Sequence, residues 1–489
     1  MAFEKQSHTM LDIDIQNALF QLSSSLGFQP YDIKPITESG STRKYFRVFT
    51  EGNTLIGTYN ANIEENEAFF YLTEHFGSKG LPVPALLAVN STRDCYLQTD
   101  HGDESLFQQV QRTLAHGHYD DATIGLFKQV LEQLVRFQTE GHQGLDYSKV
   151  YPVPCFDSSA IMDDLDYFKY YFAKPHAEIV FNEQRLKAEF LRFATFLSQA
   201  PNGFFMYRDF QSRNVMIDHG KPYFIDYQGG RKGPLQYDVI SLLYQVKAQM
   251  PQHLRDTLVA HYVNALAQRL DPEQVEFDRY YPYFVYLRLM QVLGAYGFRG
   301  LIQKKTHFIE SIPYALKELK AWNETHPLDE YPELESLIHQ VVTKLDYYLS
   351  PLLSRPSSLT VTVNSFSFKK GYPNDFSGNG GGFVFDCRAL PNPGREPQFQ
   401  TKTGRDWEVA EYLNGKPQTH QFLEHAKSIV AQSIENYLDR HFSNLMVSFG
   451  CTGGQHRSVF FAQSIADWIK ATYPQVIVQL NHIEQKIHE

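Results

Sequence analysis

Cysteine is scarce. The 489 residues hold four, Cys95, Cys155, Cys387 and Cys451, widely spaced and without a C-x-x-C pair. That excludes a disulfide framework and a thiolate zinc site, and it predicts a reducing compartment. Long apolar runs are missing too. Nothing approaches the ~18 consecutive apolar residues needed to cross a bilayer, so no membrane association by a span is expected. The opening MAFEKQSHTMLDIDIQ carries acids early and no apolar stretch, so no secretory leader is expected and a cytoplasmic enzyme is the default. Positive charge is in deficit, with 45 Lys and Arg against 55 Asp and Glu, a net charge of −10. Chain-wide attraction to nucleic acid or an anionic membrane is thereby disfavoured, and any polyanion binding must be local. No G-x-x-x-x-G-K-[ST] loop and no internal repeat occurs. With 43% hydrophobic and 20% charged residues the composition is that of a folded protein, and disorder as the dominant state is excluded. What is abundant is aromatic: 30 Tyr and 37 Phe. Core packing is the expected use of most of them, with stacking on a sugar ring a second one.

The length suggests roughly three units at about 150 residues each. A helix is expected over about 10–26, then a hairpin from SGSTRKYFRVFT (39–50) and NTLIGTYNA (53–61), a helix over about 64–76, and short strands ALLAVN (85–90) and CYLQTD (95–100). Together these make a small lobe, 1–100. From Glu104 to about Leu349 the apolar spacing is helical, as in FKQVLEQLVRFQ (127–138), and predicts a larger helical lobe, 101–349. Two β-like segments, FFMYRDF (204–210) and PYFIDY (222–227), interrupt it and carry its most unusual polar residues. SPLLSRPSSLT (350–360) is rich in Ser and Pro and predicts a linker. Beyond it, 361–489 alternates strands (361–368, 382–388, 444–450, 475–480) with helices (418–440, 458–472), the signature of a small α/β domain.

Within MYRDFQSRNVMIDHGKPYFIDYQGG (206–230), Asp209 and Asn214 are five positions apart and Asp226 follows twelve later. Phosphoryl transfer needs one carboxylate to orient and deprotonate the attacking hydroxyl, and separate oxygen ligands to hold Mg²⁺ on the nucleotide phosphates. Asp209 fits the first role, Asn214 with Asp226 the second. YPVPCFDSSAIMDDLDYFKYYF (151–172) places Asp157, Asp163, Asp164 and Asp166 among aromatics, compatible with sugar contacts or with a helix whose acids are its exposed side or cap. Asp238 in QYDVISLL is expected to be a helix cap or structural hydrogen-bonder.

These residues resemble the aminoglycoside phosphotransferase family over about residues 1–350. RDFQSRN (208–214) is similar to its catalytic loop and FIDYQ (224–228) to its metal-binding strand. GSTRKYFRV (40–48), ENEAFF (65–70), YLQTDHGDESLF (96–107) and GPLQYDVISLLY (233–244) are similar to the cell-wall amino-sugar kinases that phosphorylate N-acetylmuramate and N-acetylglucosamine at the anomeric hydroxyl. The resemblance implies an α+β two-lobed protein-kinase-like fold, ATP and Mg²⁺ as cofactors, an amino-sugar substrate and a place in peptidoglycan recycling. The chain departs from the family twice. Tyr207 stands where the catalytic loop usually begins with His, and LIGTYNA (55–61) holds no clear counterpart of the phosphate-binding Lys. Arg43, Lys44 and Arg47 are expected to supply charge to the phosphates, with Ser39, Gly40 and Ser41 as backbone or hydroxyl donors. A non-catalytic, pseudokinase-type regulator is the alternative these departures raise.

In the last domain, NLMVSFG leads into CTGGQHRS (451–458) and then a helix. Glycines let backbone N–H groups converge, a helix N-terminus adds partial positive charge, and Arg457 can clamp oxygens, so a phosphate cradle is predicted. Cys451 and Arg457 also enclose five residues, the spacing of cysteine phosphatases, which leaves a thiolate enzyme open as a third reading. SFSFKKGYPND (365–375), FVFDCRALPNPG (383–394), TGRDWEVAEYL (403–413) and VSFGCTGGQHRSVFFAQSIADWI (447–469) resemble the C-terminal domain of the RapZ-type RNase adaptor proteins. That resemblance implies a glucosamine-6-phosphate sensor using Cys451, Thr452, Gly453, Gly454, His456 and Arg457, with Asp386, Arg388 and Asn392 nearby, and a homo-oligomer through this domain. The tail NHIEQKIHE lacks a strongly basic character and the chain is acidic, so RNA binding is not expected to carry over.

Overall fold

A computed structural model describes residues 2–36, 43–353, 359–373, 375, 382–439 and 442–488. The chain divides into two compact units, Met1–Leu345 and Asp346–Glu489. Among the described residues no helix is long and apolar enough to cross a membrane.

The first unit opens with a helix, Ala2–Ser25, and a five-stranded antiparallel sheet of order β1-β2-β3-β5-β4, with β1 Pro30–Ile36, β2 Lys44–Thr50, β3 Asn53–Tyr59, β4 Leu86–Val89 and β5 Cys95–Thr99. The expected hairpin is β2–β3. Strand β1 was not legible, because PYDIKPI carries two prolines; Pro cannot donate to a ladder and is tolerated where β1 lies, at the sheet edge. Helix Ile63–Ser78 starts where the Asn62 side chain accepts from the Glu65 N–H, and two acids in its first turn favour the dipole. Its inner face buries Phe69, Phe70, Leu72 and Phe76.

The rest of the unit is helical, and it receives much of the aromatic excess. Phe76 packs edge-on against Phe137, Phe205 and Tyr227 at centroid distances of 5.1, 4.9 and 5.6 Å, and Phe69 stacks on Tyr227 at 5.3 Å. In the segments 151–172 and 278–299, Phe168, Phe172, Phe284 and Tyr286 are buried, so packing is their use. Four short strands interrupt the helices: β6 Phe204–Met206, β7 Val215–Asp218, β8 Lys221–Phe224 and β9 Arg231–Gly233.

In the second unit, β10 Thr360–Ser367, β11 Gly382–Asp386, β12 Asn444–Cys451, β13 Ile477–His482 and β14 Ile487–His488 form a sheet of order β11-β12-β10-β13-β14. Its first four strands are parallel and β14 is antiparallel. Helices Pro417–Asp439 and Arg457–Thr472 connect the parallel strands, and Val361, Val363, Val447, Phe449, Phe461 and Ile465 fill the core. The proposed linker lies partly outside the described residues, and so does almost all of the glycine-rich stretch Ser377–Gly382, which the sequence alone reads as a loop.

Candidate functional site

The spacing of Asp209, Asn214 and Asp226 comes from two nested hairpins. β6 pairs with β9 and, inside it, β7 pairs with β8, Val215 opposite Phe224. Asp209 follows β6, Asn214 precedes β7, and Asp226 follows β8, so the ladder returns Asp226 to Asn214. The Ile225 N–H donates to the Asn214 carbonyl at 3.0 Å, and Asn214 Nδ2 donates to the Asp209 carbonyl at 2.9 Å and to Asp226 Oδ2 at 3.3 Å.

Two residues here hold left-handed backbone, Arg208 with φ +78° and Asp226 with φ +70°, which a non-glycine residue adopts at a cost. The surroundings hold them there. Asp238, fully buried in helix Gln236–Leu243, accepts the Tyr207 and Arg208 N–H groups at 2.7 and 3.0 Å. Burial pushes its carboxyl up to about 7, against the pull of those two bonds. Arg208 pairs bidentately with Asp164 of helix Ser158–Phe168, at 2.7 and 2.9 Å. Asp164 is therefore Arg208's partner, while Asp157 caps its helix and Asp166 pairs with Lys169. Asp238→Ala leaves two buried N–H groups unanswered and is expected to cost about 2–5 kcal/mol, measured as a lower denaturant midpoint.

Tyr207 is fully buried, and its hydroxyl donates to the Ile225 carbonyl at 2.6 Å, tying the loop that carries Asp209 to the backbone just before Asp226. The departure from His thus keeps a packing and tethering role. Tyr207→Phe should cost about 1–3 kcal/mol by orphaning that carbonyl, read in the same unfolding assay.

A cavity of about 500 Å³ between the sheet and the nested hairpins is lined by Tyr45, Ile56, Tyr96, Gln98, Asn214 and Asp226 among others. Arg43 also lines it, 3% exposed, with Nη2 3.2 Å from Glu65 Oε1 of helix Ile63–Ser78. Because Lys44 pairs with Tyr59 across the ladder, Arg43 lies beside the end of β3. Arg43 thus sets a buried cation, paired with a helix glutamate, just before β2 and beside the end of β3. Arg47 reaches the same cavity with its charge answered by Asp100 and Asp103, at 2.6 and 2.7 Å. Lys44 is not among the lining residues. Ser39, Gly40 and Ser41 lie outside the described residues.

Asp209 lines a second cavity, about 490 Å³, with Gln211, Arg213, Tyr296 and Arg288. The two cavities share Phe107 and Arg213. A larger one, about 1060 Å³ and lined by Tyr281, Trp322 and Arg255, includes none of Asp209, Asn214 and Asp226.

The donor set suits a hard cation. Burial and the facing Asp209 carboxylate both raise the Asp226 carboxyl, a pair that positive charge would relieve. Asn214 spends its amide N–H groups on Asp209 and Asp226, and its Oδ1 accepts from no described residue. Among the described residues no three His, Cys, Asp or Glu side chains cluster.

In the second unit, strand β12 ends at Cys451 and the chain turns through Gly453 and Gly454 into helix Arg457–Thr472. Gly454 has φ +68°, and a Cβ there would lie 2.3 Å from the Glu484 side chain, so the turn requires glycine. Burial would raise the Cys451 thiol, but hydrogen bonds from the Ser458 hydroxyl and amide and the Gly454 and Gly453 amides hold it below its ordinary value. Thr452 is exposed beside it, its carbonyl accepting from Ser367 Oγ. Arg457 is turned to structure: buried, its Nη1 donates to the Arg388 and Leu390 carbonyls at 2.8 and 3.0 Å. His456 Nε2 bonds the Phe399 carbonyl at 2.8 Å. Asp386 and Arg388 pair with each other at the surface, and Asn392 caps the turn Pro393–Arg395.

A model of the phosphotransferase enzyme family matches residues 32–277, and a model of the RapZ C-terminal domain matches residues 359–486. Curated relatives include a nucleotide-binding protein of Albidiferax ferrireducens, 40% identical over 126 residues, 26% of this chain and 40% of that one. Another, from a Psychrobacter species, is 35% identical over 151 residues, 31% of this chain and 45% of that one. The chain thus spans less than half the length of these relatives. Among solved structures, a thermostable mutant of an aminoglycoside phosphotransferase is 14% identical with a TM-score of 0.42, covering 63% of this chain and 98% of its own. A Plasmodium vivax ethanolamine kinase is 13% identical with a TM-score of 0.43, covering 60% and 82%. The first unit is an α+β, two-lobed kinase-like fold, and a separate α/β domain follows it.

Proposed function

We propose that this chain, which belongs to the phosphotransferase enzyme family and carries a RapZ C-terminal domain, transfers phosphate from ATP to a hydroxyl of an N-acetylated amino sugar. One observation carries the reading. Two cavities meet at the catalytic loop, with Asp209 facing one and Asn214 and Asp226 the other. A donor in the first-described cavity and an acceptor in the second would approach across Phe107 and Arg213.

Asp209 would orient the acceptor hydroxyl and take its proton. Arg43, held by Glu65, would meet the nucleotide phosphates, and Arg213 would add charge where the two substrates meet. Asn214 and Asp226 would hold Mg²⁺, which supplies neutralisation of phosphate charge when bound. Ser39, Gly40, Ser41 and Lys44 remain candidates for the nucleotide's outer side. In the domain reading, 1–100 and 101–349 are the two lobes, 350–360 a linker and 361–489 the sensor of a phosphosugar. The Cys451 nest and the N-terminus of helix Arg457–Thr472 would receive the phosphate. Arg457 is fixed by the two carbonyls that its Nη1 meets, while its buried Nε has no partner among the described residues.

The test is a mass-spectrometric screen of the purified full chain with ATP, Mg²⁺ and a panel of amino sugars. A mass gain of one phosphate on an N-acetylated sugar is expected; ATP bound but no sugar modified would favour the non-catalytic regulator. Binding of glucosamine 6-phosphate by calorimetry, lost on Gly454→Val, tests the sensor.

A further inference from the structure

We infer that the acceptor carries an anionic group, a carboxylate or a phosphate, and that Arg288, Arg299 and Lys247 recognise it. The inference rests on the phosphotransferase reading of the first unit and names the chemistry of its acceptor.

The cavity that Asp209 faces is lined by five basic side chains, Arg213, Lys247, Arg288, Arg299 and His307, and Asp209 is the one carboxylate among its lining residues. They come from four separate elements: the turn Ser212–Asn214, the turn Val246–Ala248, helix Phe277–Tyr296 and the segment Gly297–Ile309. Convergence from four elements is not the pattern of a single solvated helix face.

Arg288 is the anchor. It is 6% exposed, and Nη1 donates to Gln291 Oε1 at 3.0 Å and approaches the Tyr237 hydroxyl at 3.5 Å. Among the described residues no carboxylate pairs with Arg288, Arg299 or Lys247. Arg299 is met by the Phe308 ring, at 5.2 Å. Of the other buried arginines in the unit, Arg208 is answered by Asp164 and Arg255 by Glu318, while Arg231, like Arg288, pairs with no acid among the described residues and gives Nε to the Gly229 carbonyl. An unpaired buried charge is costly, and a bound anion is what removes that cost.

The surroundings agree. Burial raises the Tyr296 and Tyr167 hydroxyls, and the charges of Arg288 and Arg213 on the first and of Arg299 on the second pull them back down. Glu310, next to the lining, acts on Lys247 and His307 and offsets part of their charge. Three cations with a planar fork at the centre fit a carboxylate or phosphate bidentately. A neutral sugar would leave Arg288 unanswered, and an ammonium-bearing acceptor would meet like charge.

The experiment uses the full chain with MgATP and four acceptors sharing one ring: N-acetylmuramate for a carboxylate, N-acetylglucosamine 6-phosphate for a phosphate, N-acetylglucosamine as the neutral parent, and glucosamine for a cation. One of the two acids should exceed the neutral parent in kcat/KM by at least about ten-fold, one well-placed charge-assisted contact, and glucosamine should rank last. Whichever acid wins identifies the source of the anion. Arg299→Gln and Lys247→Gln are near the surface and should fold; each should reduce the acid-to-neutral ratio several-fold, through KM rather than kcat. Arg288→Gln should abolish the preference, and Arg288→Lys, which keeps charge but not the fork, should restore part of it. Raising salt should weaken the acid alone. A neutral parent equal to both acids, or a ratio unchanged in folded Arg299→Gln and Lys247→Gln, would overturn the inference. If no acceptor is phosphorylated but the acid still binds by calorimetry in an Arg299-dependent way, the charge inference stands and the sugar-kinase reading fails.

Discussion

Asp209→Asn is expected to lower kcat for phosphoryl transfer by about 10²–10⁴-fold, the range for losing a positioned general base, while nucleotide affinity is retained. The asparagine amide keeps the shape but has no basic oxygen for the hydroxyl proton. Retention of affinity follows from position: Asp209 lines the cavity proposed for the acceptor, and the cavity proposed for the nucleotide is lined by Asn214 and Asp226 instead. Single-turnover kinetics with a modified sugar, beside ATP binding by calorimetry, separates the two effects. Equal transfer by mutant and native protein would remove Asp209 from the chemistry. Loss of ATP binding in step with activity would place it on the donor side.

Asp226→Asn should show two effects of opposite sign. Activity should fall by at least about 10³-fold, because the one carboxylate among the proposed metal ligands is gone and the phosphate charge loses its counterweight. Without nucleotide and in chelator, the same variant should be more stable than the native chain, by about 1 kcal/mol or about 2 °C in melting temperature. The reason is local: the Asp226 carboxylate is partly buried and faces that of Asp209, so its charge is unfavourable until a cation arrives. Gln228 Nε2 donates to Oδ1 and Asn214 Nδ2 to Oδ2, so the amide oxygen can keep the shorter bond, from Gln228 at 2.6 Å, and the bond lost is the longer one from Asn214 at 3.3 Å. A variant that is both inactive and less stable would show that Asp226 has a structural role. The gain should vanish when native protein is measured with Mg²⁺ and nucleotide, because ligand binding stabilises the native chain and not the variant.

Most regular elements were legible because periodicity writes them locally. The helical periods of the large lobe and the β-α alternation after residue 360 survive in the fold. The pieces that were not legible have physical causes. β1 is hidden by prolines that only an edge position tolerates. The acids of 151–172 were compatible with sugar contacts or with the exposed side or cap of a helix; Asp157 is the cap, yet Asp164 is spent on Arg208, a partner 44 residues away that no local pattern announces. Arg43 was one of several basic candidates on one strand; its burial and its ion pair with Glu65 single it out, whereas Arg47 is neutralised by acids at the end of the sheet. Arg288 and Arg299 carried no signal at all, because a basic residue in a helical run looks like an exposed face until the packing of other helices closes a cavity around it.

The sequence by itself determined the chemistry's vocabulary: the order Asp209, Asn214, Asp226, the glycine turn at Cys451–Arg457 and the helical periods. These are properties of neighbouring residues, where spacing along the chain sets spacing in space. The tertiary structure alone decided which charges are spent and which are available. Arg208 and Arg47 are consumed by Asp164 and Asp100, Arg457 gives its Nη1 to backbone carbonyls, and Arg288 is buried without an acid among the described residues. That outcome depends on partners tens of residues distant and on the desolvation each side chain meets once the core closes, which are set by packing and not by local spacing.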